Sequence, residues 1–209
     1  MSGPSDRLPG TGIVAERLLL REFSHRVNDE LASAIRLISV AANRSTSNEA
    51  RAALGAVRHR LQEQARLHHS LQMPDYTTAI DLAAYLCQLC RAISHSMLEG
   101  EGIGLSLSVH PLRLDSERCW LLGMIVFGLV TNAARHAFDR RPGSIRLEVR
   151  PTGASIECSV TDNRSSAANS LDGQDLAIIE ALAAGLHATV DMQSGPDGAR
   201  TIIDFPYAP

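Results

Sequence analysis

Between about Val14 and Asn43, apolar residues recur at Leu20, Phe23, Val27, Leu31, Ala34 and Ile38, at intervals of 3, 4, 4, 3 and 4. That is the period of an α-helix with one buried stripe. The polar run NRSTSNEA interrupts it, and Ser47 or Asn48 is placed to cap a second helix. Its stripe runs through Leu54, Val57 and Leu61 to about Leu71, and MPDYTT ends it. Two long helices joined by a short polar turn make an antiparallel hairpin. A lone hairpin cannot bury both stripes. It needs either the rest of the chain or a second copy of itself, and two copies make a four-helix bundle.

After Pro74 the pattern changes. TAIDLAAYLCQLCRAISHSM reads as a helix with Asp81 near its start, and IGLSLSVHP alternates as a half-buried strand does. DSERCWLLGMIVFGLVTNAARHAFD reads as a mostly buried helix. GSIRLEVRP and ASIECSVTDN are two strands separated by PTG, a hairpin. A Ser/Asn/Gly-rich loop follows, then a helix at DLAIIEALAAGL, a strand at ATVDMQS, a GPDG turn and a last strand at RTIIDFP. The rhythm is not the strict alternation of a parallel sheet. The fold class expected is α+β: a long helical hairpin, then one mixed sheet with helices on one face. The expected segments are a flexible 1–13, a hairpin over 14–73 and the sandwich over 74–209.

Composition adds bounds. The chain has 209 residues, 44% hydrophobic and 21% charged, with formal net charge −3. That suits one globular unit or two small ones, and gives no support to nucleic-acid or anionic-membrane binding. The N-terminus MSGPSDRLPGTG is polar and turn-rich, unlike a signal peptide. CWLLGMIVFGLV, the longest apolar run, is 12 residues, too short to cross a bilayer. A cytoplasmic protein is expected. Cys87, Cys90, Cys119 and Cys158 sit in apolar segments, as reduced buried thiols do. Cys87 and Cys90 form a C-x-x-C inside an amphipathic helix, with no second ligand pair for zinc. His68 and His69 are adjacent and diverge by about 100°, where a metal site wants i and i+4.

One histidine stands apart. At 100° per residue, Phe23, Val27, Leu31, Ala34 and Ile38 fall within about 80° of one another, and His25 lies roughly 160° from their centre. It faces water. Phase alone leaves it either a solvated surface residue or a site of chemistry.

The surrounding residues carry a resemblance. LLREFSHRVNDEL is similar to the phosphoacceptor box of bacterial sensor histidine kinases, in the subfamily whose box reads L-x-E-x-x-H-R-V-K-N-N-L. ARLHHSLQ resembles that family's second hairpin helix, and IDLAAYLCQL its entry into the ATP-binding domain. LVTNAARHAF resembles its asparagine box, usually E-L-V-T-N-A-L-K-H-A-F. VTDNRSS sits where the family has D-N-G-x-G, and RTIIDFP where it ends in G-T-x-x-x-x-F-P. These six segments run in the family's order from about Leu18 to Pro206.

The resemblance implies a homodimer through the hairpin, with His25 outside the bundle and phosphorylated on an imidazole nitrogen. Neutral imidazole is a nucleophile near pH 7. It further implies response-regulator receiver domains as partners, with Mg²⁺ held in the receiver's acidic pocket. Arg21, Arg26, Asn28 and Asp29, on or beside the face of His25, are the candidate docking residues. Asn28 and Asp29 replace a lysine and an asparagine of the family pattern.

The nucleotide site departs from the family. The resemblance places Asn132 at a Mg²⁺ ligand and Asp162 at the contact to the adenine amino group, with Asn163 and Gly173 in the flanking motifs. Gly128 stands where the family has a glutamate four residues before the asparagine. Arg164, Ser166, Asp175 and Arg200 stand where it has glycines. A β-carbon there fills space a phosphate needs, and Asp175 adds like-charge repulsion. Gly198 offers a compensating shift in turn register. Asn132 as a structural cross-link and Asp162 as an Asx turn are the alternative roles. The expected function is a histidine phosphotransferase of a two-component relay, with a degenerate ATP site and no tightly bound cofactor. The alternatives are an active histidine kinase with an atypical pocket and a non-catalytic regulator-binding module.

Overall fold

A computed structural model describes residues 10–74, 78–138, 141–163, 173–195 and 198–208. The chain divides into two compact units, residues 1–72 and 73–209.

The first unit is a hairpin of α1 (Gly10–Arg44) and α2 (Asn48–Ser70). Ser47 is the N-cap of α2, its Oγ accepting from the Ala50 N–H at 3.2 Å. The predicted stripe on α1 is only partly right. Val27, Leu31, Ala34 and Ile38 are half-buried and Ala42 is buried, but Phe23 is 67% exposed. Phe23 belongs to a second apolar stripe with Leu19, Leu37 and Val40, all exposed, and Val57 of α2 is exposed as well. At 100° per residue these four span about 100° of α1. One partner helix covers one stripe, so α1 carries two.

The second unit follows the expected α+β plan. Its sheet has strand order β2-β4-β5-β7-β6, with β2 (Ile103–Val109) parallel to β4 (Gly143–Thr152). β5 (Ser155–Asp162), β7 (Gly198–Pro206) and β6 (Thr189–Gly195) continue it antiparallel. Alternation assigns the faces. Ile145, Leu147, Val149, Ile156, Cys158, Ile203 and Phe205 point inward, with no more than 1% exposure. Helices α3 (Leu82–Ile93), α4 (Ser116–Asn132) and α5 (Gly173–Gly185) cover that face with Leu86, Ile93, Leu122, Ile125 and Ile179. The sequence pattern does not predict the two-stranded ribbon of β1 (Ala79–Asp81) with β3 (Arg113–Asp115). At three residues each, these strands are too short to show a period.

Local chemistry sets the ends. Asp81 caps α3 by accepting from Ala84 N–H at 3.0 Å. Arg118 stacks over Phe205 at 5.4 Å and donates to the Tyr207 and Pro206 carbonyls, which pins the end of β7 against α4. The end of α5 closes by Ala188 N–H to Ala183 O (2.9 Å) and His187 N–H to Ala184 O (3.0 Å). This is a Schellman cap, and it places exposed His187 at φ 54°, where glycine is the usual residue. His187→Gly is expected to raise stability by about 1 kcal/mol, the cost of a β-carbon in the left-handed region, read as a higher urea midpoint.

All four cysteines are free. Burial pushes the Cys90, Cys119 and Cys158 thiols up to about 12. An unfolded-chain thiol titrates at roughly 8.5. The unfolded state therefore releases these protons first, and stability present below that pH is lost as pH rises toward 12. Urea midpoints are expected to hold level up to about pH 8 and to fall steadily above it.

Candidate functional site

His25 sits midway along α1 with its side chain exposed. Val27, Leu31, Ile38 and Ala42 fix the direction of α2, and His25 lies about 130° from it. It lies about 115° from the centre of the outward stripe formed by Leu19, Phe23, Leu37 and Val40. Neither apolar surface covers it. On its flanks Arg21 and Asn28 are half-buried and Asp29 is exposed, each within about 60° of His25 around the helix. Arg26 is about 100° away, and its Nε donates to Glu22 Oε1 at 3.0 Å. His68 and His69 are exposed in the last turn of α2.

The second candidate region lies at the ends of α4, β5 and β7. Asn132 closes α4 and Asp162 closes β5, 9% and 6% exposed. The two line one cavity of ≈ 30 Å³ with Leu129, Val160, Met192, Ala199 and Thr201. Asn132 Oδ1 is buried without a hydrogen-bond partner among the described residues. Asp162 Oδ1 accepts from the Ala199 N–H at 3.4 Å. The cavity adjoins an open cleft of ≈ 320 Å³ formed by Asp162, Gln193, Gly195, Gly198, Ala199 and Arg200, among others. A space of ≈ 30 Å³ holds a water, whereas ligand pockets begin near 300 Å³.

Other predicted residues fall elsewhere. Asn163 staples the sheet instead: its Oδ1 accepts from Ser144 N–H at 2.8 Å, and its own N–H donates to Ser144 O at 3.2 Å. Gly173 opens α5, and a β-carbon added to it would meet no atom within 4 Å. Asp175 lies in the first turn of α5, where the helix dipole favours a carboxylate and an anion from outside would compete with it. Arg200 lines the open cleft beside Asp162. Its guanidinium reaches Glu157 at 3.3 Å on the outer face of the sheet, away from the buried side of Asp162. Gly198 takes φ 133°, a conformation side chains rarely adopt. Arg164 and Ser166 lie outside the described residues. Gly128 faces Ile179, whose side chain would stand 3.6 Å from an added β-carbon. Thr201 and Met192 line the cavity without having been singled out by the sequence, although Thr201 belongs to the terminal motif.

Tested against a Mg²⁺-bound nucleotide, these groups fit one half. The buried Asp162 carboxylate and the orphaned Asn132 amide oxygen match a base amino group and a cation. Neither Gly128, which faces Ile179, nor Asp175, in the first turn of α5, lines the cavity or the cleft.

A helical hairpin followed by a mixed α/β sheet is the fold this chain shares with solved histidine kinase domains. A family profile described as "Histidine kinase" (HisKA_2) matches residues 22–97. The chain is 25% identical over 201 residues to blue-light-activated histidine kinase 2 of Erythrobacter litoralis, covering 90% of this chain and 57% of that protein. It is 25% identical over 203 residues to the sensor histidine kinase PdtaS of Mycolicibacterium smegmatis, covering 91% of this chain and 40% of that one. The chain thus spans about half the length of these relatives. Among solved structures, the histidine kinase domain of an Erythrobacter litoralis blue-light-activated kinase superposes with TM-score 0.57 at 21% identity, covering 85% of this chain and 96% of that chain. A bacterial phosphotransferase superposes with TM-score 0.61 at 10% identity, covering 94% and 98%. Among the described residues no helix is long and apolar enough to cross a membrane.

Proposed function

We propose that this chain is a histidine phosphotransferase of a two-component pathway, passing a phosphoryl group between His25 and receiver-domain aspartates. The observation that carries the reading is the exposure of His25 on α1, clear of both apolar stripes, inside the segment matched by the histidine kinase profile. The outward stripe of Leu19, Phe23, Leu37 and Val40 supports a homodimeric four-helix bundle that leaves His25 accessible.

In the forward step an imidazole nitrogen of His25 attacks the phosphorus of a receiver's aspartyl phosphate. The acyl-phosphate P–O bond breaks, and the aspartate leaves as a carboxylate. The reverse step, on a second receiver, regenerates neutral His25. The chain contributes the nucleophile and its placement. Arg21, Asn28 and Asp29 flank it as the docking surface, with Arg26, paired to Glu22, at its margin. Mg²⁺ in the receiver neutralises charge on the transferring group.

The reading includes a nucleotide site that has lost its phosphate half, supported by Gly128 and Asp175. One observation favours the rival reading, an active kinase: the buried Asn132 Oδ1 beside Asp162, without a hydrogen-bond partner among the described residues. Calorimetric titration with ATP and Mg²⁺ separates them. No saturable heat at millimolar nucleotide is expected; binding in the micromolar range would move the assignment to a kinase.

A further inference from the structure

β2 is the last strand on its side of the sheet and pairs only with β4 among the described residues. Its sequence, IGLSLSV, contains no charge and no proline, the usual devices that keep an edge strand from pairing. The opposite edge, β6, carries an exposed Asp191. Ile103 is buried, but Leu105, Leu107 and Val109 are only half-buried on the helix side of the sheet. Apolar surface is left uncovered along this edge.

The backbone fixes which groups are free. His110 N–H donates to Val149 O at 3.0 Å, with Val109 in register with Val149. In an extended strand the N–H and C=O of one residue point to one side, and the side alternates. Ser108, Ser106 and Gly104 therefore turn their backbone groups to β4. Ile103, Leu105, Leu107 and Val109 turn theirs outward, to no strand among the described residues.

The pattern of aliphatic and small residues along the strand is symmetric about Ser106. Antiparallel pairing with a copy of itself, two-fold at Ser106, sets Leu105 opposite the partner's Leu107 and Ile103 opposite the partner's Val109. Gly104 then meets the partner's Ser108. The outward-pointing residues are the ones such a register brings together as hydrogen-bonded pairs. The two Ser106 residues face each other as a close, non-bonded pair. The ends are complementary in charge: the exposed acidic turn with Glu99 and Glu101 comes to the end where the other copy exposes His110 and Arg113.

We propose that β2 is an isologous interface at which two copies of this chain join their sheets, edge to edge, about Ser106. An unrelated extended peptide would need neither this symmetric pattern nor the acidic turn matched to His110 and Arg113, so a second copy is the occupant argued for. This interface is independent of the phosphotransfer reading and of any association through the hairpin.

Cross-linking of the full chain tests it. Ser106 is exposed, and a non-hydrogen-bonded antiparallel pair brings its two Cα atoms to about 4.5 Å, within disulfide range. Ser106→Cys is expected to form a covalent dimer under mild diamide oxidation at least tenfold faster than Ser108→Cys. Ser108→Cys requires Gly104→Cys on the other copy, and association elsewhere would raise both single variants alike. Ser106→Lys sets two ammonium groups face to face and is expected to lower the sedimentation-average mass below that of the unmodified chain. Mixing it with Ser106→Glu is expected to restore that mass. Equal cross-linking of the two cysteine variants, or Ser106→Lys sedimenting as the unmodified chain does, overturns the proposal and leaves the edge for a strand of a different protein.

Discussion

Replacing His25 with alanine is expected to abolish phosphoryl acceptance from a phosphorylated receiver domain while leaving the melting curve in place. The two halves of that expectation rest on one fact, the exposure of His25 on α1. An exposed helical side chain away from caps and packed surfaces contributes within about 0.5 kcal/mol to stability. Alanine is also the better helix former. The chemistry has no substitute on the same face. Asp29 and Arg21 flank His25 but supply no neutral nitrogen nucleophile near pH 7. His25→Ala should therefore show no transferable phosphate, a loss of all signal rather than a change of rate. Persistence of acid-labile phosphate on the variant would place the acceptor at another residue.

The largest stability effect is expected at Gly143, the first residue of β4. A β-carbon there would stand 1.9 Å from Phe138 Cε1 and 2.2 Å from its Cδ1. Phe138 is fully buried, so its ring has nowhere to turn without displacing core neighbours. Overpacking of this kind costs about 1–3 kcal/mol, occasionally more. For a unit of this size each kcal/mol is worth roughly 2–4 °C. Gly143→Ala should lower the melting temperature by roughly 6–12 °C at the upper end of that range. Gly143→Ala combined with Phe138→Leu should recover part of the loss, because the smaller side chain vacates the contact. An unchanged melt for Gly143→Ala would mean the close approach is not maintained in solution.

Much of this was legible in the sequence because the fold is built from long periodic elements. The hairpin follows from a 3.6-residue rhythm sustained past Ile38, and β2, β4 and β5 from alternation over seven residues or more. Where periods are short, or two stripes compete, the reading fails. β1 and β3 carry three residues each. Phe23 sits at the margin of one apolar arc and in the middle of another, and sequence phase does not say which arc the neighbouring helix takes. At the candidate sites, phase correctly put His25 on the wet face. The Asn132–Asp162 pair came only through motif resemblance. Its closeness depends on β5 and α4 ending together, which no local pattern encodes. Motif resemblance gave no sign of the bonds these positions make: Asn163 pairs with Ser144, and Arg200, which replaces a glycine of the family pattern, pairs with Glu157.

The proposed function turns on whether His25 takes a phosphoryl group, and from which donor. The direct measurement supplies the full chain with labelled phosphate from two sources in parallel, a phosphorylated receiver domain and ATP with Mg²⁺. Acid-labile label on the chain is then counted, with His25→Ala as the blank. A phosphotransferase takes label from the receiver and none from ATP, and that is the result expected. Label from ATP that vanishes in His25→Ala would contradict it and make the chain an autokinase.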